Sequence, residues 1–249
     1  LAFSEKGVVD GSFTADTLGG NARLAMSHAD DGLHINAAGS GNFALLRNTW
    51  PVAFVDRISG VSDWRFDATQ KGDGLGWIVT SSMQGATIDL PAPFGKRAAT
   101  AMPVRIEGRA SDAAARDTVS VALGDAGRVV VQRRIAGGEA IVDRVLVLAG
   151  TAVEQAGDAE RPGLWIRAGL DAIDVDDWLD VDSTTPPPGR PAADRAPAME
   201  LQGIDLAATR LTAVRRRFRD MNVSARRERG NWQITLRGRD VEGTASWFA

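Results

Sequence analysis

The sequence contains no cysteine, which excludes a disulfide framework and a thiolate metal site but suits an oxidising and a reducing compartment equally. It lacks any apolar run near the roughly 18–20 residues that cross a bilayer, and no segment has the pattern of a secretory signal peptide. The net charge is only −3, so the chain has no bulk attraction for nucleic acid. We therefore expect neither a membrane span nor a nucleic-acid partner for this segment.

The two ends of the sequence resemble interrupted strands. The chain opens on Leu1 and closes at residues 246–249 with the pattern of the middle of a strand. We therefore expect a piece of a longer protein, and a missing anchor here says nothing about the parent.

Motifs for catalysis, nucleotide binding and metal binding are also missing. The sequence holds no HExxH, nucleophile elbow, GxGxxG or Walker sequence. His28 and His34 flank a turn and are expected to be surface or strand histidines. Residues 171–182 carry six aspartates, but a calcium loop needs an oxygen ligand at its fifth position, which counted from Asp174 is Trp178. We predict helix capping there, no metal ligand, no cofactor and no catalytic residue.

Short segments that alternate between apolar and polar residues dominate the sequence, and Gly, Asp and Asn separate them. A period of two is typical of a strand with one apolar face. Helical pattern is scarce. After the strand that begins at Gly163, Asp174 is placed to cap a short acidic helix that packs Trp178 against the sheet. Residues 45–58 have room for a turn or two, broken by Pro51.

One linker candidate divides the chain. Residues 183–198, STTPPPGRPAADRAPA, are rich in Pro and Ala and lack bulky apolar side chains, which is typical of an extended or disordered segment. The predicted division is a β segment at 1–182, this linker at 183–198, and hairpins at 199–249 that continue the same sheet because they are too short to be stable alone.

A basic stretch lies in the last part of the chain. Arg215, Arg216 and Arg217 fall between two apparent strands, close to a hairpin turn. A solvated turn is one interpretation of this triplet, and contact with anionic lipid headgroups is the other.

Many one-sided strands and few helices pose a packing problem. Such an antiparallel sheet closes on itself as a sandwich or barrel, or it leaves an apolar groove that another molecule fills. Lipid would suit that groove, because each buried acyl CH₂ contributes roughly 0.8 kcal/mol.

Several segments occur along the chain in the order 86–96, 119–125, 163–179, 218–225, 230–232 and 241–243. Together they resemble the YhdP proteins, which are large bacterial envelope proteins of the AsmA-like superfamily and cousins of TamB. Residues 86–96, ATIDLPAPFGK, resemble the family's IDLPAPLGK loop, and residues 119–125 resemble its following strand and turn. Residues 163–179 resemble its GL.I.G.L..LDLDAWL segment. Residues 218–225, 230–232 and 241–243 resemble its closing hairpins. The similarity covers roughly residues 30–249.

The resemblance implies a mainly β fold: an elongated, curved antiparallel sheet, taco-like around an apolar groove, with one or two short helical turns. It also implies a periplasmic part of an inner-membrane-anchored parent, which carries phospholipid toward the outer membrane and meets envelope proteins at either membrane. The family has no catalytic residues to transfer. The alternation in the sequence supplies the candidates that line either the groove or a closed core: Leu33, Ile35, Trp64, Phe66, Ile88, Leu90, Val119, Val121, Leu164, Ile166, Ile234 and Leu236.

Three functional hypotheses follow. The first is a non-enzymatic segment of a lipid-transfer bridge, which binds phospholipid acyl chains. The second is a closed β-sandwich that acts as a structural or interaction module in envelope assembly. The third is a carbohydrate-active β-protein that uses a carboxylate pair, whose separation only a structure gives.

Overall fold

The computed structural model describes residues 2–4, 7–30, 32–49, 55–72, 74–111, 116–136, 139–155, 162–183 and 199–248. These residues form sixteen strands, two α-helices and two short 3₁₀ turns. The strands are β1 Ala2–Ser4, β2 Gly7–Thr17, β3 Gly20–Ala29, β4 Gly32–Asn42, β5 Ile58–Lys71, β6 Gly74–Ser81, β7 Ala86–Ile88, β8 Val104–Ser111, β9 Arg116–Leu123, β10 Gly127–Ala136, β11 Glu139–Gly150, β12 Gly163–Asp174, β13 Leu201–Ala213, β14 Arg216–Glu228, β15 Asn231–Arg237 and β16 Glu242–Phe248. The helices are α1 Phe43–Thr49 and α2 Val175–Ser183, and the 3₁₀ turns are Val55–Arg57 and Thr151–Gln155.

The strands follow one hydrogen-bonded order from β1 to β16 in chain sequence, with β7 beside β5 and off the main path. Among the described residues the sheet does not close, and most neighbouring strands are antiparallel. The predicted mainly β, open architecture with few helical turns is therefore confirmed.

Strand β12 is an exception to the predicted antiparallel pattern, because it runs parallel to both β11 and β13. Parallel neighbours cannot be joined by a tight hairpin and need a longer crossover connection. The 3₁₀ turn Thr151–Gln155 lies in the connection before β12, and α2 lies in the connection after it.

The chain forms two compact units. Unit 1 comprises residues 1–89, 96–124 and 132–141, and unit 2 comprises residues 90–95, 125–131 and 142–249. Within unit 2, β13 pairs with β12, so the strands after the proposed linker share a sheet with the strand before it. Residues 184–198 of that linker lie outside the described residues, and the division into 1–182, 183–198 and 199–249 stays a prediction.

Helix α2 begins as the sequence predicts. The Asp174 side chain accepts the backbone N–H of Asp176 at 3.0 Å and that of Asp177 at 3.3 Å, which satisfies two donors of the first turn. The sequence predicted that Trp178 packs against the sheet, whereas the contacts recorded for its side chain are with the loop 90–95. Its indole N–H donates to the Ala92 carbonyl at 3.2 Å, and its ring meets Phe94 edge to face at 6.0 Å between centroids.

A buried lysine holds the segment between β6 and β8 in place. Lys96 is 8% exposed, and its ammonium donates to the carbonyls of Met83, at 2.7 Å, and Ala86. Its backbone exchanges two hydrogen bonds with Ile88 at 2.9 and 3.1 Å. Burial lowers the pKa of Lys96. These hydrogen bonds hold residues 83–96 together and offset the cost of burying a cation for which the described residues supply no ion-pair partner.

Two apolar clusters lie in the part of unit 2 that the structure describes. One joins Leu146, Leu148 and Trp165, with Val130 and Val153 packed against it. The other joins Ala208, Leu211 and Met221, with partly buried neighbours that include Val175 at the start of α2. The apolar start of α2 therefore anchors the acidic helix to this second cluster.

Candidate functional site

In unit 1 the strand register places apolar residues of consecutive strands side by side. Ile35 of β4 lies between Met26 and Ala68, and Ala68 in turn lies opposite Trp77. Directly paired residues point to the same face of a sheet, as do residues two apart on one strand. The apolar face of unit 1 comprises Leu24, Met26, Leu33, Ile35, Trp64, Phe66, Trp77, Val79, Ile106, Val119 and Val121.

The opposite face of the same strands is polar. Asn36 pairs with Asp67, and Thr80 pairs with both Arg65 and Arg105. Arg105 forms an exposed ion pair at 3.0 Å with Glu107. The sheet of unit 1 is therefore amphipathic, with charged groups on one side and aromatic and aliphatic groups on the other.

The apolar face of unit 1 is only partly shielded from solvent. Leu33, Ile35, Phe66 and Val121 are each half-buried, as are the other predicted lining residues on this face. The Trp77 ring lies across Gly108, where a Cβ would approach the indole to 2.7 Å. The absence of a side chain at Gly108 thus lets the indole lie flat on the sheet. Because this face is still half-exposed, a molecule that lies on it would remove further apolar area from water.

One charged pair interrupts the apolar face of unit 1. Asp117 lies two residues before Val119 on β9, and therefore on the same face. Arg133 binds both oxygens of its carboxylate, with Nε to Oδ1 at 2.7 Å. The Asp117 side chain is 7% exposed, so the pair is a polar group at the end of an otherwise apolar strand face.

Unit 2 repeats the amphipathic arrangement. Ile166 pairs with Ile204, Ile204 with Ala225, and Ala225 with Ile234. The row beside it contains Ala168, Leu206, Val223 and Leu236. The side chains of both rows share one face of β12 to β15.

The other face of unit 2 carries a polar group beside the Trp165 ring, and farther along it the pair Leu211 and Phe218. Arg226 binds the Asp205 carboxylate through Nη2 at 2.6 and 2.8 Å, and its guanidinium lies 5.4 Å from the centre of the Trp165 ring. Ser224 donates to the same carboxylate at 3.0 Å. Trp165 also lies over Gly203, where a Cβ would come within 2.4 Å of the indole.

Ten of the twelve predicted lining residues lie on these two apolar faces. The other two lie elsewhere. Ile88 lies in β7 opposite Ile58 and is 8% exposed, and its backbone is hydrogen-bonded to that of Lys96. Leu90 is half-buried in the loop 90–95. The structure thus brings the ten together in two groups, one in each unit.

The predicted basic triplet occupies a hairpin, as expected from its neighbours. Val214 and Arg215 have positive φ angles of 48° and 58° and form the turn, and Arg216 and Arg217 begin β14. All three arginines are exposed. The carboxylate of Asp176 holds the turn, because it accepts the backbone N–H of Val214 at 2.8 Å and that of Arg215 at 2.7 Å.

The sequence prediction missed several members of the apolar faces. In β13, Ile204 and Leu206 alternate with polar or small residues, so the period of two was available there as a signal. In β6, Ile78 lies between Trp77 and Val79, so alternation alone did not separate the two faces. Only the register shows that they neighbour Phe66 or Ile166.

The acidic run has structural roles in capping and in holding the turn. In the part of the chain that the structure describes, no group of three or more His, Cys, Asp or Glu residues is placed to hold a metal ion. None of the helices within the described ranges has the length and hydrophobicity to cross a bilayer.

The fold and its faces define a class of protein: an open, mostly antiparallel sheet whose strands present one apolar and one polar side. A family model described as YhdP protein matches residues 1–249. The chain therefore belongs to the YhdP family, a transport-type family of envelope-associated proteins connected with lipid transport, and the resemblance seen in the sequence is confirmed. No curated protein and no solved structure matches the chain.

Proposed function

We propose that this chain is a non-enzymatic segment of a periplasmic bridge, anchored in the inner membrane through its parent protein, that carries phospholipid to the outer membrane. The acyl chains would lie against the apolar faces of the sheet. Envelope proteins at either membrane would be its protein partners. Family membership supports a connection with lipid transport. The amphipathic strand register supports the binding of acyl chains on these faces.

The observation that carries the proposal is the half-burial of register-aligned apolar side chains on an open sheet. A closed sandwich would seal such a face with a second sheet, and among the described residues the sheet does not close. An acyl chain laid on the face gains roughly 0.8 kcal/mol for each CH₂ removed from water. Affinity of this kind needs apolar area and no specific polar ligand, which suits a conduit for lipids of varied headgroup.

Site-specific photo-crosslinking tests this proposal with matched controls from adjacent residues. Phe66 and Asp67 are neighbours on β5 that point to opposite faces, and so are Ile234 and Gln233 on β15. A crosslinking amino acid at Phe66 or Ile234 should capture phospholipid in cells, whereas one at Asp67 or Gln233 should not. Equal capture at both members of a pair, or capture at neither, would contradict the proposal.

Native mass spectrometry of the purified chain provides an independent measurement. Phospholipid should remain bound on transfer to the gas phase and should be recovered by solvent extraction. A chain that is well folded and carries no lipid after purification from membranes would argue against acyl-chain binding.

A further inference from the structure

The hairpin of β13 and β14 places three arginines on one face. Arg210 lies directly opposite Arg219, and Arg217 lies opposite Thr212. Arg217 and Arg219 are two apart on β14, so both point to the face that Arg210 shares. The Cβ atoms of directly opposite residues are about 5 Å apart in such a pair. All three arginines are exposed, so their guanidinium groups form one accessible cationic patch.

The charges of this patch are only partly compensated. Like charges placed directly opposite each other destabilise a sheet. Asp240 compensates the charge of Arg219, because its carboxylate accepts hydrogen bonds from Nη2 at 2.9 Å, from Nε at 3.3 Å and from the Arg219 backbone N–H at 2.8 Å. The same hydrogen bonds raise the pKa of Arg219 and lower the pKa of Asp240.

Other charged groups near the patch leave its sign unchanged. Asp220, next to Arg219, adds a weaker attraction, and Arg239, next to Asp240, adds a further cation. Asp174 of β12 lies opposite Thr212, and its Oδ1 is occupied by the first N–H groups of α2. Within the described ranges, no carboxylate forms an ion pair with Arg210 or Arg217.

We propose that Arg210, Arg217 and Arg219 form a binding site for a phosphate group. Guanidinium groups match the geometry of phosphate oxygens and bind them with two parallel N–H donors. A bound phosphate would relieve the repulsion between Arg210 and Arg219 that Asp240 offsets only on one side. The phosphate belongs either to a lipid headgroup or to a small soluble phosphoester, and only the lipid case rests on the proposed function.

Titration calorimetry with glycerol 1-phosphate at constant ionic strength tests the site. The test variant is the double substitution Arg210→Gln and Arg217→Gln. The matched control is the double substitution Arg215→Gln and Arg216→Gln, which removes two exposed charges from the same hairpin outside the patch. We expect saturable binding in the unchanged chain. The dissociation constant should rise at least tenfold in the test variant and should stay within twofold of the unchanged chain in the control. Absence of saturable binding, or an equal loss in the control, would overturn the site.

Vesicles identify the source of the phosphate. Flotation with phosphatidylglycerol vesicles at constant ionic strength should recover the unchanged chain and less of the test variant if the phosphate is a headgroup. Binding of glycerol 1-phosphate without vesicle recovery would assign the site to a soluble phosphoester. If the unchanged chain binds neither glycerol 1-phosphate nor the vesicles, the phosphate site is overturned. Lipid capture at Phe66 is a separate measurement, which reports on the apolar face and on the proposed function.

Discussion

At the scale of single residues, Lys96 illustrates how one polar side chain holds a loop. Its ammonium satisfies the carbonyls of Met83 and Ala86 in a buried position. We expect Lys96→Met to lower the free energy of unfolding by about 1–3 kcal/mol, because it leaves buried acceptors without a donor. Urea unfolding measures the loss. Lys71→Met, the same exchange at an exposed lysine of β5, is the control and should change stability by less than about 0.5 kcal/mol.

The protonation of Lys96 should give this loop a characteristic pH dependence. Burial lowers the pKa of Lys96 in the folded chain below its usual 10.5, so the unfolded chain binds that proton more tightly. Stability linked to this group therefore rises as the pH increases from the folded pKa toward 10.5. Melting temperatures of the unchanged chain and Lys96→Met should diverge over that range. A difference that stays constant, or one that narrows with pH, would contradict the burial of this cation.

At the scale of elements, α2 and the β13–β14 turn depend on each other. The turn holds two non-glycine residues at positive φ, which is a strained conformation for them. Asp176 keeps it in place through two backbone N–H groups, so Asp176→Ala should cost about 1–2 kcal/mol in urea unfolding. It should also accelerate amide exchange at Val214 and Arg215. Asp177→Ala removes the same charge from an exposed position of the same helical turn and should leave those two amides protected.

The alternation in the sequence was enough to predict which side chains share a strand face, because that property is local. Leu33 with Ile35 and Ile234 with Leu236 follow directly from a period of two. The pairing of Ile166 with Ile204 was not predictable, since β12 is parallel to both neighbours and its connections include crossover segments. The sequence left open whether Ile88 lines a groove or a core. It is buried in β7 and hydrogen-bonded through its backbone to Lys96, eight residues later, a contact that sequence alone does not show.

At the scale of the whole molecule, lipid retention should depend on which face of the sheet is altered. Val79→Thr with Val121→Thr keeps shape and β-branching but puts two hydroxyls on the apolar face of unit 1. At about 1 kcal/mol for each unpaired hydroxyl in an apolar contact, lipid affinity should fall roughly thirtyfold. Val61→Thr is the same exchange on the other face of β5, and it should leave the lipid content unchanged. Quantified lipid extraction from equal amounts of folded protein is the measurement. If the double variant retains as much phospholipid as Val61→Thr, the acyl chains do not lie on this face.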